Sequence, residues 1–247
     1  MRKNGFSLIE LMISIAISMV ALVAVSEVYV ASRQTYKLQG MQAQLTEEGR
    51  FAMAMVQRIV SQAGFRQSPM MPMEIERISS AANEITVKFE SDGANQVVCN
   101  GSVPAAGVAQ TLTIKRVGAK LQCGLVDWVA PATVGTGNSS EVADFTVLLG
   151  VDTGPSTDKN FGCGDAAGVN KPRDCIADKY VGGLTGTETS AQIVALRVCL
   201  MLSSEASDSS VLRPAPVKNC GGTEIVGSQT NHKLYRTFRS TVLLNNR

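Results

Sequence analysis

The spacing of apolar positions changes twice along the chain. From Leu11 to Ser26 only Leu, Met, Ile, Ala, Val and Ser occur, and the apolar run opens at Phe6 with Glu10 as its single charge. From Phe6 to Ser26 the run is long enough to cross ~30 Å of hydrocarbon as a helix. Beyond it the apolar positions thin out but keep a helical period. Leu38, Met41, Leu45, Ala52, Met55, Ile59 and Ala63 recur at steps of three, four and seven, which sets them on one stripe. Arg50, Gln57, Arg58 and Gln62 fall elsewhere on the wheel. Gly64 supplies a left-handed stop. The pattern predicts one helix from Phe6 to about Ala63, ~85 Å long at 1.5 Å per residue, with a possible bend at Gly40. A helix of that length cannot lie inside one compact domain, so its first half leaves the domain and its second half lies on it.

After Gly64 the period becomes two. Glu84–Glu90 alternates, with Ile85, Val87 and Phe89 on one face, as in a half-buried antiparallel strand. Further strands are expected at 96–99, 110–117, 119–123 and 143–151, with a hairpin turn over Arg116–Lys120. Gln192–Leu202 is almost wholly apolar except for Arg197 and reads as a central strand packed under the helix. Lys233–Leu244 places Leu234, Phe238, Val242 and Leu244 on one face of a closing strand. Residues 152–190 carry turn chemistry and read as a surface loop. The fold class expected is α+β: a long N-terminal helix on an antiparallel β-sheet head.

Composition adds compartment and orientation. The 247 residues carry a formal net charge of +2, which gives no electrostatic reason to invoke nucleic acid as a primary partner. Arg2 and Lys3 precede the apolar run and hold the N-terminus in the cytoplasm by the positive-inside rule. This implies a single pass through the inner membrane with a periplasmic head. An ordinary cleaved signal peptide is the competing reading, because Ala24-Val25-Ser26 resembles a small-x-small site. Against it stand Glu10, costly inside an apolar segment, and the unbroken helical pattern beyond Ser26.

All six cysteines, Cys99, Cys123, Cys163, Cys175, Cys199 and Cys220, lie beyond the apolar run. An even set after an export signal fits an oxidising compartment. Connectivity is open from sequence. Sequential pairing is the simplest because each bridge closes a local loop, each contributing roughly 2–4 kcal/mol. No Cys-x-x-Cys occurs and His232 is the only histidine, so no metal site and no cofactor are expected. Asp152, Asp158, Asp165, Asp174 and Asp178 do not have the spacing of a calcium loop. Gly221-Gly222 reads as a turn, Trp128 as a packing residue of the head or its rim, and no catalytic constellation is present. The chain is not expected to be an enzyme.

Gly5-Phe6-Ser7-Leu8-Ile9-Glu10, directly before a membrane span, resembles the signal of type IV prepilins and type II secretion pseudopilins. The resemblance implies cleavage between Gly5 and Phe6 by a prepilin peptidase and N-methylation of Phe6. The leader is then 1–5, the pilin helix 6–64 with its transmembrane part at 6–26, and the disulfide-bonded head 65–247. It also implies that Glu10 pairs with the N-terminal amine of a neighbouring subunit, as an intramembrane carboxylate requires a cation; the alternative is that Glu10 merely reaches the interface. Ser32–Gln39, Glu48–Ala52, Ala63–Phe65, Val142–Asp152, Asp178–Val181 and Phe238–Asn245 resemble segments of PilW-type minor pilins. Where that family often has a short Asp/Gly-rich run after Asp152, this chain has a longer, cysteine-bearing loop, so no metal role carries over. The implied function is a minor pilin that initiates or caps a type IV pilus with other minor pilins and the major pilin. A minor pseudopilin, or a pilus-tip module for adhesion or DNA binding, is the alternative.

Overall fold

The computed structural model describes residues 7–67, 77–81, 83–132, 139–153, 176–185 and 188–244. One helix, α1, runs from Leu8 to Ser61 over 54 residues, ~81 Å at the helical rise. It passes through Gly40 as a single element. Gly64 takes a φ of 74°, the left-handed conformation expected there. Its N–H donates to the Lys88 carbonyl at 2.9 Å, so the chain leaves the helix already bonded to the head.

Among the described residues nine strands follow. Five form an antiparallel meander in sequence order: β1 (Ile78–Ala81), β2 (Glu84–Glu90), β3 (Ala109–Val117), β4 (Lys120–Cys123) and β5 (Val126–Val129). Four form a second antiparallel sheet, in the order β7 (Lys179–Val181), β6 (Ser140–Val151), β8 (Ile193–Ser204), β9 (Tyr235–Leu243). The α+β class expected from the periodicity is therefore observed, with two sheets where one was anticipated. The inward residues of both sheets and the buried stripe of α1 share one core: Ile85, Val87 and Ile114 from the first sheet, Phe145, Leu149, Leu196 and Leu200 from the second, Val56 and Ile59 from the helix.

Three local readings change. Residues 96–99 form no strand. Val97 is buried, but its N–H and C=O are satisfied by one side chain, Gln62, which accepts from Val97 N at 2.5 Å and donates to Val97 O at 3.2 Å. Gln62, set off the apolar stripe by sequence, is therefore buried. Within the expected surface loop 152–190, Lys179–Val181 forms β7 and pairs with Leu149–Val151. β8 is central as expected, and it is buried on both faces except at Arg197. Its face away from α1 is approached by the segment between β8 and β9, where Cys220 is joined to Cys199 and its N–H donates to the buried Asp144 at 2.9 Å.

Candidate membrane-anchor and assembly surface

The N-terminal half of α1 stands clear of the head. Residues 7–33 are exposed throughout, although they hold the most apolar stretch of the chain, and α1 is the one described helix long and apolar enough to cross a membrane. Its serines do not undermine that character. Ser14, Ser18 and Ser26 each donate to the carbonyl four residues earlier, at 2.7, 2.7 and 2.8 Å. Such back-bonding satisfies a hydroxyl that hydrocarbon would leave without a partner.

Glu10 lies one turn into the helix. Its carboxylate accepts the Ser7 backbone N–H at 3.1 Å, half of a capping box in which a carboxylate near the N-terminus also meets the positive end of the helix dipole. Within one chain, then, Glu10 caps its own helix. Gly5 and Phe6, the expected cleavage and methylation positions, lie outside the described residues.

The second half of α1 is built into the head. Gly49 provides the closest approach: a Cβ there would sit 2.1 Å from Cε2 of Phe238, so only glycine admits that ring against the helix. On either side, Arg236 donates to Thr46 Oγ1 at 2.6 Å and Gln57 donates to Ser240 Oγ at 2.6 Å. Further towards the exposed half, Lys37 pairs with Asp208 at 3.3 Å. The Asp208 carboxyl is held below its ordinary range, first by the Ser210 hydroxyl and N–H and then by Lys37.

Four of the six cysteines are described. Cys99 is joined to Cys123, with 5.3 Å between Cα atoms, and Cys199 to Cys220, with 5.9 Å. Cys163 and Cys175 lie outside the described residues, as do Asp158, Asp165 and Asp174. The indole N–H of Trp128, buried, donates to the Cys99 carbonyl at 2.9 Å, tying β5 to the first disulfide. His232 has a φ of 47° and its Nδ1 meets the Leu212 carbonyl at 2.8 Å, a turn contact. Asp178 accepts the Thr153 N–H and hydroxyl at 2.8 and 2.9 Å, which lowers its pKa. Asp152, next to Thr153 in sequence and just after β6, is buried. Among the described residues no group of three or more His, Cys, Asp or Glu side chains converges.

Sequence reasoning missed Gly49, Gln62 and the fully buried Arg77, whose Nη2 donates to the Ile193 carbonyl at 2.6 Å. Gly49 falls on the helical stripe, four residues after Leu45 and three before Ala52, but has no side chain, and Gln62 and Arg77 are polar, so a search for apolar residues passes over all three.

Residues 1–26 match the family model described as the prokaryotic N-terminal methylation motif. Comparison with curated protein sequences gives no match. Among solved structures, the chain is similar to a type IV-like pilin from Thermus thermophilus at 12% identity and a TM-score of 0.43, over 82% of this chain and 98% of that one. At that level the likeness adds nothing to the fold described above.

Proposed function

We propose that the chain is a minor subunit of a type IV pilus, inserted by the first half of α1 and presenting a disulfide-bonded head on the far side of the inner membrane. One observation carries the reading: the methylation motif at residues 1–26 runs without a break into a helix whose first half is exposed and apolar and whose second half is part of the head's core. A cleaved signal peptide would discard that first half. A prepilin peptidase cutting between Gly5 and Phe6 retains it, methylates Phe6 and leaves the protein in the membrane until it is assembled with other minor pilins and the major pilin. In that assembly Glu10 exchanges its Ser7 contact for the amine of an adjacent subunit's first residue. The structural role stands in place of catalysis.

Mass spectrometry of the protein extracted from membranes tests this. The expected mature terminus is N-methylated Phe6. A terminus at Glu27 would show ordinary signal peptidase at work and end the pilin reading. Glu10→Ala is expected to insert and be cleaved normally while reducing pull-down of partner minor pilins and the number of pili. Wild-type piliation in that strain would reduce Glu10 to a helix cap.

A further inference from the structure

We infer that the outer edge of β9 is a docking site for an extended strand of a different protein, one that carries an acidic residue opposite Arg239.

The backbone parity of β9 follows from its two ends. Ser204 donates to the Leu234 carbonyl at 2.8 Å and Leu244 donates to the Val194 carbonyl at 2.9 Å, and the ladder between runs through nine consecutive pairs from Ala195↔Leu243 to Ser203↔Tyr235 with no register shift. In an antiparallel pair each residue turns both its N–H and its C=O to the same side, and successive residues alternate. The even residues of β9 therefore bond to β8. Tyr235, Thr237, Arg239, Thr241 and Leu243 turn their backbone groups outward, where no described residue meets them.

The other edges differ. β5 has four residues and β7 three. β1 has four, and its own Ser80 donates to the Gly182 carbonyl at 3.4 Å, just after β7. The ladders of β4–β5 and β6–β8 contain irregular registers. Short strands, bulges, proline and charged side chains, lysine above all, are how exposed edges avoid pairing. β9, at nine residues, has no bulge, lysine or proline, its only charges are Arg236 and Arg239, and Thr237, Arg239, Thr241 and Leu243 are exposed. An edge so long and regular is suited to accept a strand, with main-chain bonds giving affinity and alternate side chains giving selectivity.

A second copy is a poor occupant. The contacts Thr46–Arg236, Gly49–Phe238 and Gln57–Ser240 advance together along both elements, so α1 and β9 run in the same general direction. Antiparallel pairing of two β9 edges would send the two apolar helix halves opposite ways, which one bilayer does not accept. Centred pairing would also set Arg239 against Arg239, and like charges directly opposite are destabilising. A foreign strand with Asp or Glu at that position converts the same arginine into a cross-strand ion pair. Excluding the second copy rests on the membrane-anchor reading. The free edge does not, and the readout below is independent of N-terminal processing.

The test uses the full chain in detergent micelles and a nine-residue Thr/Val peptide with a central Glu, followed by residue-resolved amide exchange. The expected result is new protection at Thr237, Arg239 and Thr241 and no change at Phe238 and Ser240, which already bond to β8. A central Lys in the peptide is expected to weaken binding at least tenfold, and Arg239→Glu to invert that preference. Thr241→Pro removes only an outward N–H, which an edge strand tolerates. It is expected to abolish binding while Trp128 near-ultraviolet dichroism and the Cys199–Cys220 bridge persist. If the proline variant fails to fold, the Arg239→Glu exchange of preference decides alone. Absence of protection at the three odd-numbered residues, or equal affinity for the Glu and Lys peptides, overturns the inference. So does protection in the protein alone that grows with its concentration, which would make the occupant a second copy.

Discussion

The two halves of α1 have nearly the same backbone and opposite surroundings. From Ser7 to Arg33 every residue is exposed, and from Leu45 on the helix supplies Leu45, Ala52, Met53, Val56, Ile59 and Val60 to the core, with Ala63 following in the turn at its exit. In the first half, burial has to come from outside the chain, and large apolar side chains such as Ile17, Leu22 and Val25 wait for it. In the second, burial is internal and each side chain has a specific neighbour. Apolar content is higher in the first half, but content alone does not explain the two fates. The distinction is whether apolar residues surround the helix or keep to one stripe, since a helix apolar all round needs partners on every side.

The sharpest way to break this comparison is to apply the same kind of damage to both halves. Ile59→Ala, in the core, is expected to lower head stability by about 2–5 kcal/mol, read by chemical denaturation of the full chain in micelles, with membrane fractionation unchanged. Ile17→Arg is expected to do the reverse. An arginine near the centre of a span costs about 3 kcal/mol on insertion scales, so the protein should shift out of the membrane fraction while both described disulfides still form. If either variant produced both defects, the halves would not be independent.

Two smaller tests refine the boundary on the head's side. Gly49→Ala forces a methyl into the Phe238 ring, and overpacking of this kind costs about 1–3 kcal/mol. The double variant Gly49→Ala/Phe238→Leu should recover part of the loss; a single variant as stable as wild type would show that the ring moves aside freely. Gln62→Leu leaves the Val97 N–H and C=O without their partner, for about 1–3 kcal/mol, and amide exchange at Val97 should accelerate before exchange in β2 does.

The smallest effect expected is on acid stability, far from the helix. Glu188 is held down to about 2, first by Lys179 and then by the Thr185 hydroxyl and N–H. A carboxyl whose folded pKa is lowered contributes stability above its unfolded pKa and loses it as pH falls through the folded value. Glu188→Gln should therefore flatten the decline in stability between roughly pH 4.5 and 2 and lower stability at neutral pH by what the Lys179 and Thr185 contacts contribute. An unchanged acid profile would remove Glu188 from the account.

Much of the fold could be read from the sequence because it rests on periodicity. The strand β2, the hairpin at Gly118, the apolar β8, the face of β9 carrying Phe238 and Val242, and the helix stop at Gly64 all follow from local spacing. Division into two sheets could not be read this way, since alternation gives each strand an inward face without saying which sheet it joins. Residues 96–99 misled for a related reason. Val97 and Cys99 are buried as strand residues would be, but a side-chain amide takes the place of a neighbouring strand. At the candidate site, the motif Gly5–Glu10 could be recognised at once because it is contiguous. The Gly49–Phe238 contact joins residues far apart in sequence, and that β9 is an edge strand among the described residues is known only once strand order is.

The shared direction of α1 and β9 also governs how a pull would travel. A subunit drawn along its helix axis receives the load at the apolar half, and the head follows through Thr46–Arg236, Gly49–Phe238 and Gln57–Ser240. Because these contacts are spaced along the direction of pull, they are strained together in shear and do not peel one after another. The ring of Phe238 in the gap left by Gly49 acts as a mechanical stop against sliding. Beyond the last turn, Gln62 hands the load to Val97, two residues before the Cys99–Cys123 bridge, so the helix ends against a covalently closed part of the head.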